Sequence, residues 1–213
     1  MVKKPTENLE DISNNIRDIF TARDRAREKA LPLCREIIRY AGNTIRAVHR
    51  QEYQIANGLL HEATGLLKNA QEFTASGEMA NSGYLRDAEK EFAEASIFQA
   101  LVSGMKLPAP EDLKVDPSSY LNGMGEAVGE LRRYLLDNIR KGDLSRGEEL
   151  LEIMDDIYGV LVTIDFPDAI TGGLRRTTDM VRGVLERTRS DLTLVIQQKN
   201  LENRLDKFEN KLS

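Results

Sequence analysis

The stretch YLNGMGEAVGELRR, Tyr120 to Arg133, decides how the chain is read. Leu121, Met124, Val128 and Leu131, continued by Leu135 and Ile139, recur every three or four residues. At 100° per residue they form one apolar helical face. Glu126, Glu130, Arg133 and Asp137 lie opposite. The helix carries Gly123, Gly125 and Gly129, each costing about 1 kcal/mol relative to alanine. A merely solvated face has no use for them. Glycines beside carboxylates let another backbone, or a ligand, approach closely.

Outward from this segment the period of 3.6 persists, and no run alternates convincingly at period two. The pattern predicts about seven helices. The first spans Leu9 to Arg50, with a kink expected at Pro32 because proline removes a backbone donor. The second spans Tyr53 to Thr74 and the third Gly83 to Ser103, ended by Gly104, Pro108 and Pro110. A short piece follows Pro110. Ser118 or Ser119 is the expected cap of the helix that reaches Lys141, and Ser145 that of the helix reaching Thr163. DFPDAITGG reads as a separator before a last helix that continues to Leu212. No linker, low-complexity segment or fixed-period repeat divides the 213 residues, so the expectation is one all-α domain, 1–213, with 192–213 as a helical tail. In that tail Leu194, Leu201 and Phe208 are spaced by sevens, as are Leu205 and Leu212, giving the narrow seam of a helix that pairs with one other.

Composition narrows the function classes. Hydrophobic residues make up 40% and charged residues 31%, and no run of apolar residues is long enough to span a membrane. MVKKPTENLE has no apolar segment after its lysines, which argues against a secretory signal. The single Cys34 rules out an internal disulfide and suits a reducing, cytoplasmic setting; in LPLCREII it reads as a small core residue. The net charge of −5 argues against nucleic-acid binding by the whole surface; any such function would need basic residues gathered on one face. Two histidines and one cysteine without ligand spacing do not make a zinc site. No phosphate-loop motif follows a strand, and no local histidine supports a nucleophilic triad.

Two further stripes stand out. On the first helix Ile12, Ile16, Ile19, Ala26, Leu33, Ile37, Ala41, Ile45 and Val48 share a face. Arg17, Arg25, Arg35, Arg39, Arg46 and Arg50 form an opposing stripe about 80° wide, with His49 at its edge. A solvated face is the plainer reading. The choice of arginine over lysine, however, suits bidentate phosphate contacts, and Arg35 to Arg50 extends about 22 Å at 1.5 Å per residue. In EKEFAEASIFQALVSGM, Glu91 and Glu94 project from one side of a helix together with Phe98, Leu101 and Met105. Acids on an apolar stripe must meet a cation, either a basic side chain or a metal. With Glu126 and Glu130 they would supply four oxygen-donor side chains, a set suited to Mg²⁺ or Mn²⁺.

The residues also resemble a known family. Tyr120–Arg133, preceded by VDPSS, is similar to the pattern Y-L-x-G-x-x-[D/E]-x-x-G-E-L-x-R of the translin family. EFAEASIFQ, Glu91 to Gln99, resembles the E-x-x-E-A-x-x-F-Q helix of its nuclease branch, the translin-associated factor X subunits. LCREIIRYAGNTIRAVHR is similar to that branch's first helix, and the likeness runs over about residues 15–195, in the manner of an archaeal single-gene member. It implies about seven layered antiparallel helices assembled into a hollow homo-oligomer, usually an octamer. It further implies Mg²⁺-dependent endoribonuclease activity on single-stranded RNA, with RNA duplex or single-stranded DNA as other nucleic-acid partners. Carried over by position, Glu91, Glu94, Glu126 and Glu130 are the catalytic, metal-binding acids, with Glu126 standing where the branch usually has aspartate. Arg17, Arg35, Arg39, Arg46, His49 and Arg50 are then the residues expected to hold RNA. The alternative is a non-catalytic translin-like shell that binds RNA or DNA.

Overall fold

The computed structural model describes residues 5–74 and 82–212. Met1–Lys4, on which part of the signal-peptide expectation rests, lie outside the described residues, as does the side chain of Leu212 in the tail seam. Among the described residues there are eight helices and no strand. They are α1 (Leu9–His49), α2 (Tyr53–Thr74), α3 (Gly83–Val102), α4 (Pro110–Leu113), α5 (Pro117–Arg140), α6 (Gly147–Val162), α7 (Asp168–Thr171) and α8 (Leu174–Leu212).

The periodic segments become helices where expected, because each buries an apolar stripe. Three local expectations are corrected. DFPDAITGG contains the extra turn α7, which ends at Gly172 with φ +62°. The cap of α5 is Asp116 rather than Ser118 or Ser119: its Oδ1 accepts from Ser118 N at 2.9 Å, and Pro117 occupies the first turn. Ser145 does not cap α6, since its own N–H donates to Asp143 Oδ1. The neighbouring Arg146 reaches back to the carboxyl end of α3, donating to Val102 O at 2.6 Å and Leu101 O at 3.3 Å, where carbonyls have no donor within the helix.

α1, α2 and α3 pack as one layer and α5, α6 and α8 as the next, with α3 against α5 joining them. Ile37, Leu67, Ile97 and Phe98 fill the first layer; Leu131, Leu135, Leu150, Met154 and Leu161 fill the second. Each such side chain contributes about 1.5–3 kcal/mol by leaving water. Contacts between α3 and α5 advance together, Ser119 with Arg86, Glu126 with Lys90 and Tyr134 with Phe98, so these helices run in the same direction. That refines the antiparallel expectation: α4 and its flanking turns carry the chain back before α5 begins.

Two helices outrun the body. At 1.5 Å per residue α1 and α8 are each about 60 Å long. In α1 the first buried residue is Ala30, and Ile12, Ile16 and Ile19 remain 44–46% exposed, as do Leu9 and Phe20 to a greater extent. The amino-terminal half of the expected core face is therefore bare. In α8 Leu192 is buried, whereas Leu194, Leu201, Leu205 and Phe208 are exposed. Leu192 is the last buried residue of α8 among the described residues, and Val195 and Ile196 after it are half-buried.

Candidate metal centre

The three-and-four spacing of helical neighbours builds the centre. On α3, Arg86, Lys90 and Glu94 follow one another every four residues, with Glu91 beside them. On α5, Ser118, Asn122, Glu126 and Glu130 do the same. Because α3 and α5 run side by side in one direction, these ridges meet along their length. Gly123 makes the approach possible: a Cβ there would lie 2.6 Å from Lys90 O and 2.9 Å from Glu94 N. Gly125 similarly admits Thr177 of α8. These two glycines serve helix packing rather than access by a ligand. Gly129 has nothing within 4 Å of its Cβ position and is the one that leaves open space beside the acids.

One carboxylate oxygen from each of Glu91, Glu94 and Glu126 lies within 4.8 Å of the others. Lys90 Nζ approaches Glu126 Oε1 at 2.7 Å and Glu91 Oε1 at 3.6 Å. Burial opposes the charge of this lysine, yet Glu126, Glu91 and Glu94 hold its pKa above the ordinary value. Burial also raises Glu91. For the buried Glu94, burial and then repulsion from Glu91, Glu126 and Glu130 push the pKa up to about 8. One ammonium does not neutralise the group.

Glu130 stands apart from this trio. His49 Nε2 lies 2.5 Å from Glu130 Oε2, and Arg133 Nη1 is 3.6 Å from the same oxygen. With the carboxylate as acceptor, Nε2 carries the proton. The His49 ring is buried against Phe98, with centroids 5.0 Å apart, and near Tyr134. His49 therefore belongs with the acid site, not with the exposed arginine stripe where the sequence placed it. Its Nδ1 has no partner among the described residues.

Arg17, Arg35, Arg39, Arg46 and Arg50 are exposed. Several rest on neighbours of their own helix or turn: Arg17 on Asn14, Arg39 on Glu36 and the Tyr40 ring, Arg46 on Asn43, and Arg50 on Glu52. Such exposed contacts are weak, so the guanidinium groups can exchange them for phosphate. Tyr120 is buried, with its hydroxyl donating to Pro108 O at 2.7 Å, so its ring is part of the packing and presents no open face to a base. Tyr84 packs partly buried against the core. Cys34 is buried and its thiol is pushed up to about 11, chiefly by burial, so it is an inert core residue.

Sequence reasoning missed Lys90, the His49–Glu130 contact, and Arg86 and Asn122 beside them. The four-residue ladders on α3 and α5 were the available signal. Their meeting depends on the parallel pairing of the two helices, which spacing within one helix does not specify.

A layered helical domain that gathers carboxylates where two parallel helices meet is the class that the fold and the site define. No family model matches the chain. An uncharacterized protein of Methanocaldococcus jannaschii is 29% identical over 205 residues, covering 95% of this chain and 91% of that one. The structure of an AfC3PO–duplex RNA complex aligns with a TM-score of 0.79 and 33% identity, covering 90% of this chain and 97% of the other. The crystal structure of AfC3PO aligns equally well, covering 98% of that chain. Apo-NeC3PO, at 19% identity and a TM-score of 0.76 over 91% of this chain and all of the other, shares the fold. The chain belongs to the translin family. Among the described residues no helix is long and apolar enough to cross a membrane.

Proposed function

We propose that the protein is a divalent-metal-dependent endoribonuclease that cleaves single-stranded RNA within a cytoplasmic homo-oligomeric shell, an octamer by family resemblance. The observation that carries the reading is the Glu91–Glu94–Glu126 cluster within 4.8 Å. Its hard oxygen donors fit Mg²⁺ or Mn²⁺, and the raised pKa of Glu94 marks a site short of positive charge. A bound divalent cation would supply an activated water and offset negative charge on the phosphate. Glu91, Glu94 and Glu126 would hold it. Glu130, oriented by His49, borders the same space. Lys90 keeps Glu126 turned toward Glu91. Arg35, Arg39, Arg46 and Arg50 bind the RNA backbone without regard to sequence. The bare apolar faces of α1 and α8 supply surface for subunit contacts, and the RNA-bound AfC3PO relative supports a nucleic-acid partner.

A second reading, a non-catalytic shell that binds RNA or DNA, is favoured by the Lys90–Glu126 ion pair, which would make the acids structural. Labelled single-stranded RNA incubated with Mg²⁺ or with chelator separates the two. The nuclease reading expects cleavage only with Mg²⁺, abolished by Glu126→Gln and by Glu130→Gln while RNA binding persists. Binding without cleavage in Mg²⁺ or Mn²⁺ would leave the shell reading standing.

A further inference from the structure

Next to the acids lies a cavity of about 630 Å³, sharing Lys90 and Glu126 as part of its wall. Its size suits a single small-molecule-sized group. Three helices begin around it: α3 at Gly83, α5 at Pro117 and α8 at Leu174. Their first turns carry backbone N–H groups without intrahelical partners, and the local field favours an anion.

The wall is built rather than incidental. Asn122 is buried, and its amide donates to Ser118 O and Thr171 O, both at 2.8 Å, while accepting from Thr177 Oγ1 at 2.6 Å. These bonds tie α5, α7 and α8 together. Gly172 and Gly173, at φ +62° and +87°, turn the chain between α7 and α8, a conformation that side chains beyond glycine resist.

Charge is divided across the cavity. Lys90 is committed to Glu126 and Glu91 at the acid end. Arg86 and Arg176 line the remainder, and neither guanidinium has a hydrogen bond or ion pair among the described residues. Two carboxylates, Asp87 and Asp168, also line the wall without pairing with either arginine. An arginine fork left without a partner beside a cavity is suited to a phosphate, which it can grip through two parallel N–H donors. Met180 adds apolar surface against which a base can lie.

The acid end suits a cation and the arginine end an anion, and successive phosphodiesters of one strand would meet both. We propose that this cavity seats the nucleotide adjoining the cut phosphate, with Arg86 and Arg176 gripping the neighbouring phosphodiester. The inference deepens the nuclease reading and rests on it for the identity of the strand.

Calorimetric titration of the full-length protein in low salt with chelator tests it, using adenosine 5′-monophosphate, adenosine and inorganic phosphate as probes. The monophosphate is expected to bind at least tenfold more tightly than either fragment. Arg86→Ala and Arg176→Ala should each weaken it about tenfold or more, and Arg86→Lys should recover part of the loss. Thermal unfolding of each variant shows that the fold is retained. Equal monophosphate affinity in wild type and both alanine variants overturns the proposal, as does absence of binding. Phosphate binding as tightly as the monophosphate overturns the nucleotide seat. Parallel cleavage assays keep the two readings separate: arginine-dependent nucleotide binding without RNA cleavage retains the seat and removes the nuclease. Cleavage by a protein that binds no nucleotide does the reverse.

Discussion

Replacing Glu94 by glutamine tests the electrostatics of the acid cluster without touching its packing. Glu94 is 8% exposed and its pKa is pushed from 4.5 up to about 8, by burial first and by Glu91, Glu126 and Glu130 after it. The folded state therefore keeps this proton to higher pH than the unfolded chain does. Between about pH 4.5 and 8 the native state binds more protons, so stability falls as pH rises through that window and levels off above it. At 1.36 kcal/mol per pH unit the full displacement corresponds to about 4–5 kcal/mol. Relaxation around a buried charge makes that an upper bound, and about 2–4 kcal/mol is the expected loss. Glutamine has no proton to lose. Urea unfolding in chelator, followed by circular dichroism at pH 4, 7 and 8.5, should show wild type and Glu94→Gln nearly equal at the lowest pH, which lies below both values. By pH 8.5 the variant should be the more stable by that amount. The wild-type-minus-variant difference isolates Glu94 from the upward shifts of Glu89 and Glu91. Mg²⁺ or Mn²⁺, binding only the native state, should restore the wild type at pH 8.5 more than the variant. Parallel pH profiles for the two proteins would refute the argument, because they would mean that Glu94 ionises in the folded state as it does in water.

The glycines of α5 offer an internal comparison by thermal unfolding. Gly123→Ala should destabilise by about 1–3 kcal/mol because its Cβ meets α3 backbone, whereas Gly129→Ala, facing open space, should gain up to about 1 kcal/mol of helix propensity; equal effects would remove the packing role assigned to Gly123. Reversing Arg39 and Arg46 to glutamate should weaken binding to all single-stranded sequences alike and flatten the salt dependence of affinity, measured by fluorescence anisotropy. An unchanged salt slope would reassign the stripe to solvent or subunit packing. Truncation after Gln197 keeps the buried Leu192 and removes the exposed Leu201, Leu205 and Phe208. Light scattering should then report a smaller oligomer with an intact helical body, and a full-sized, equally stable assembly would show the tail to be dispensable.

Helix identity and most helix bounds follow from the sequence, because apolar spacing and glycine or proline breaks act within one turn. The face containing Met124, Val128 and Leu131 is buried as its period requires. The acids of α3 and α5 were legible as pairs for the same reason: i,i+3 and i,i+4 spacing places side chains together on one helix. What spacing could not supply was which helix faces which. The parallel pairing of α3 with α5 brings Glu126 to Glu91 and Glu94 and puts Lys90 between them. The same register turns Glu130 to His49 and buries that histidine. Tertiary contact likewise decided that Gly123 and Gly125 admit neighbouring helices while Gly129 stays open, although all three look alike in the sequence. Ile16 of α1 and Leu201 of α8 carry the periodicity of core residues, yet remain exposed because their helices extend past every partner among the described residues. Periodicity states that a face is apolar; only the arrangement of the other helices determines whether this chain covers it.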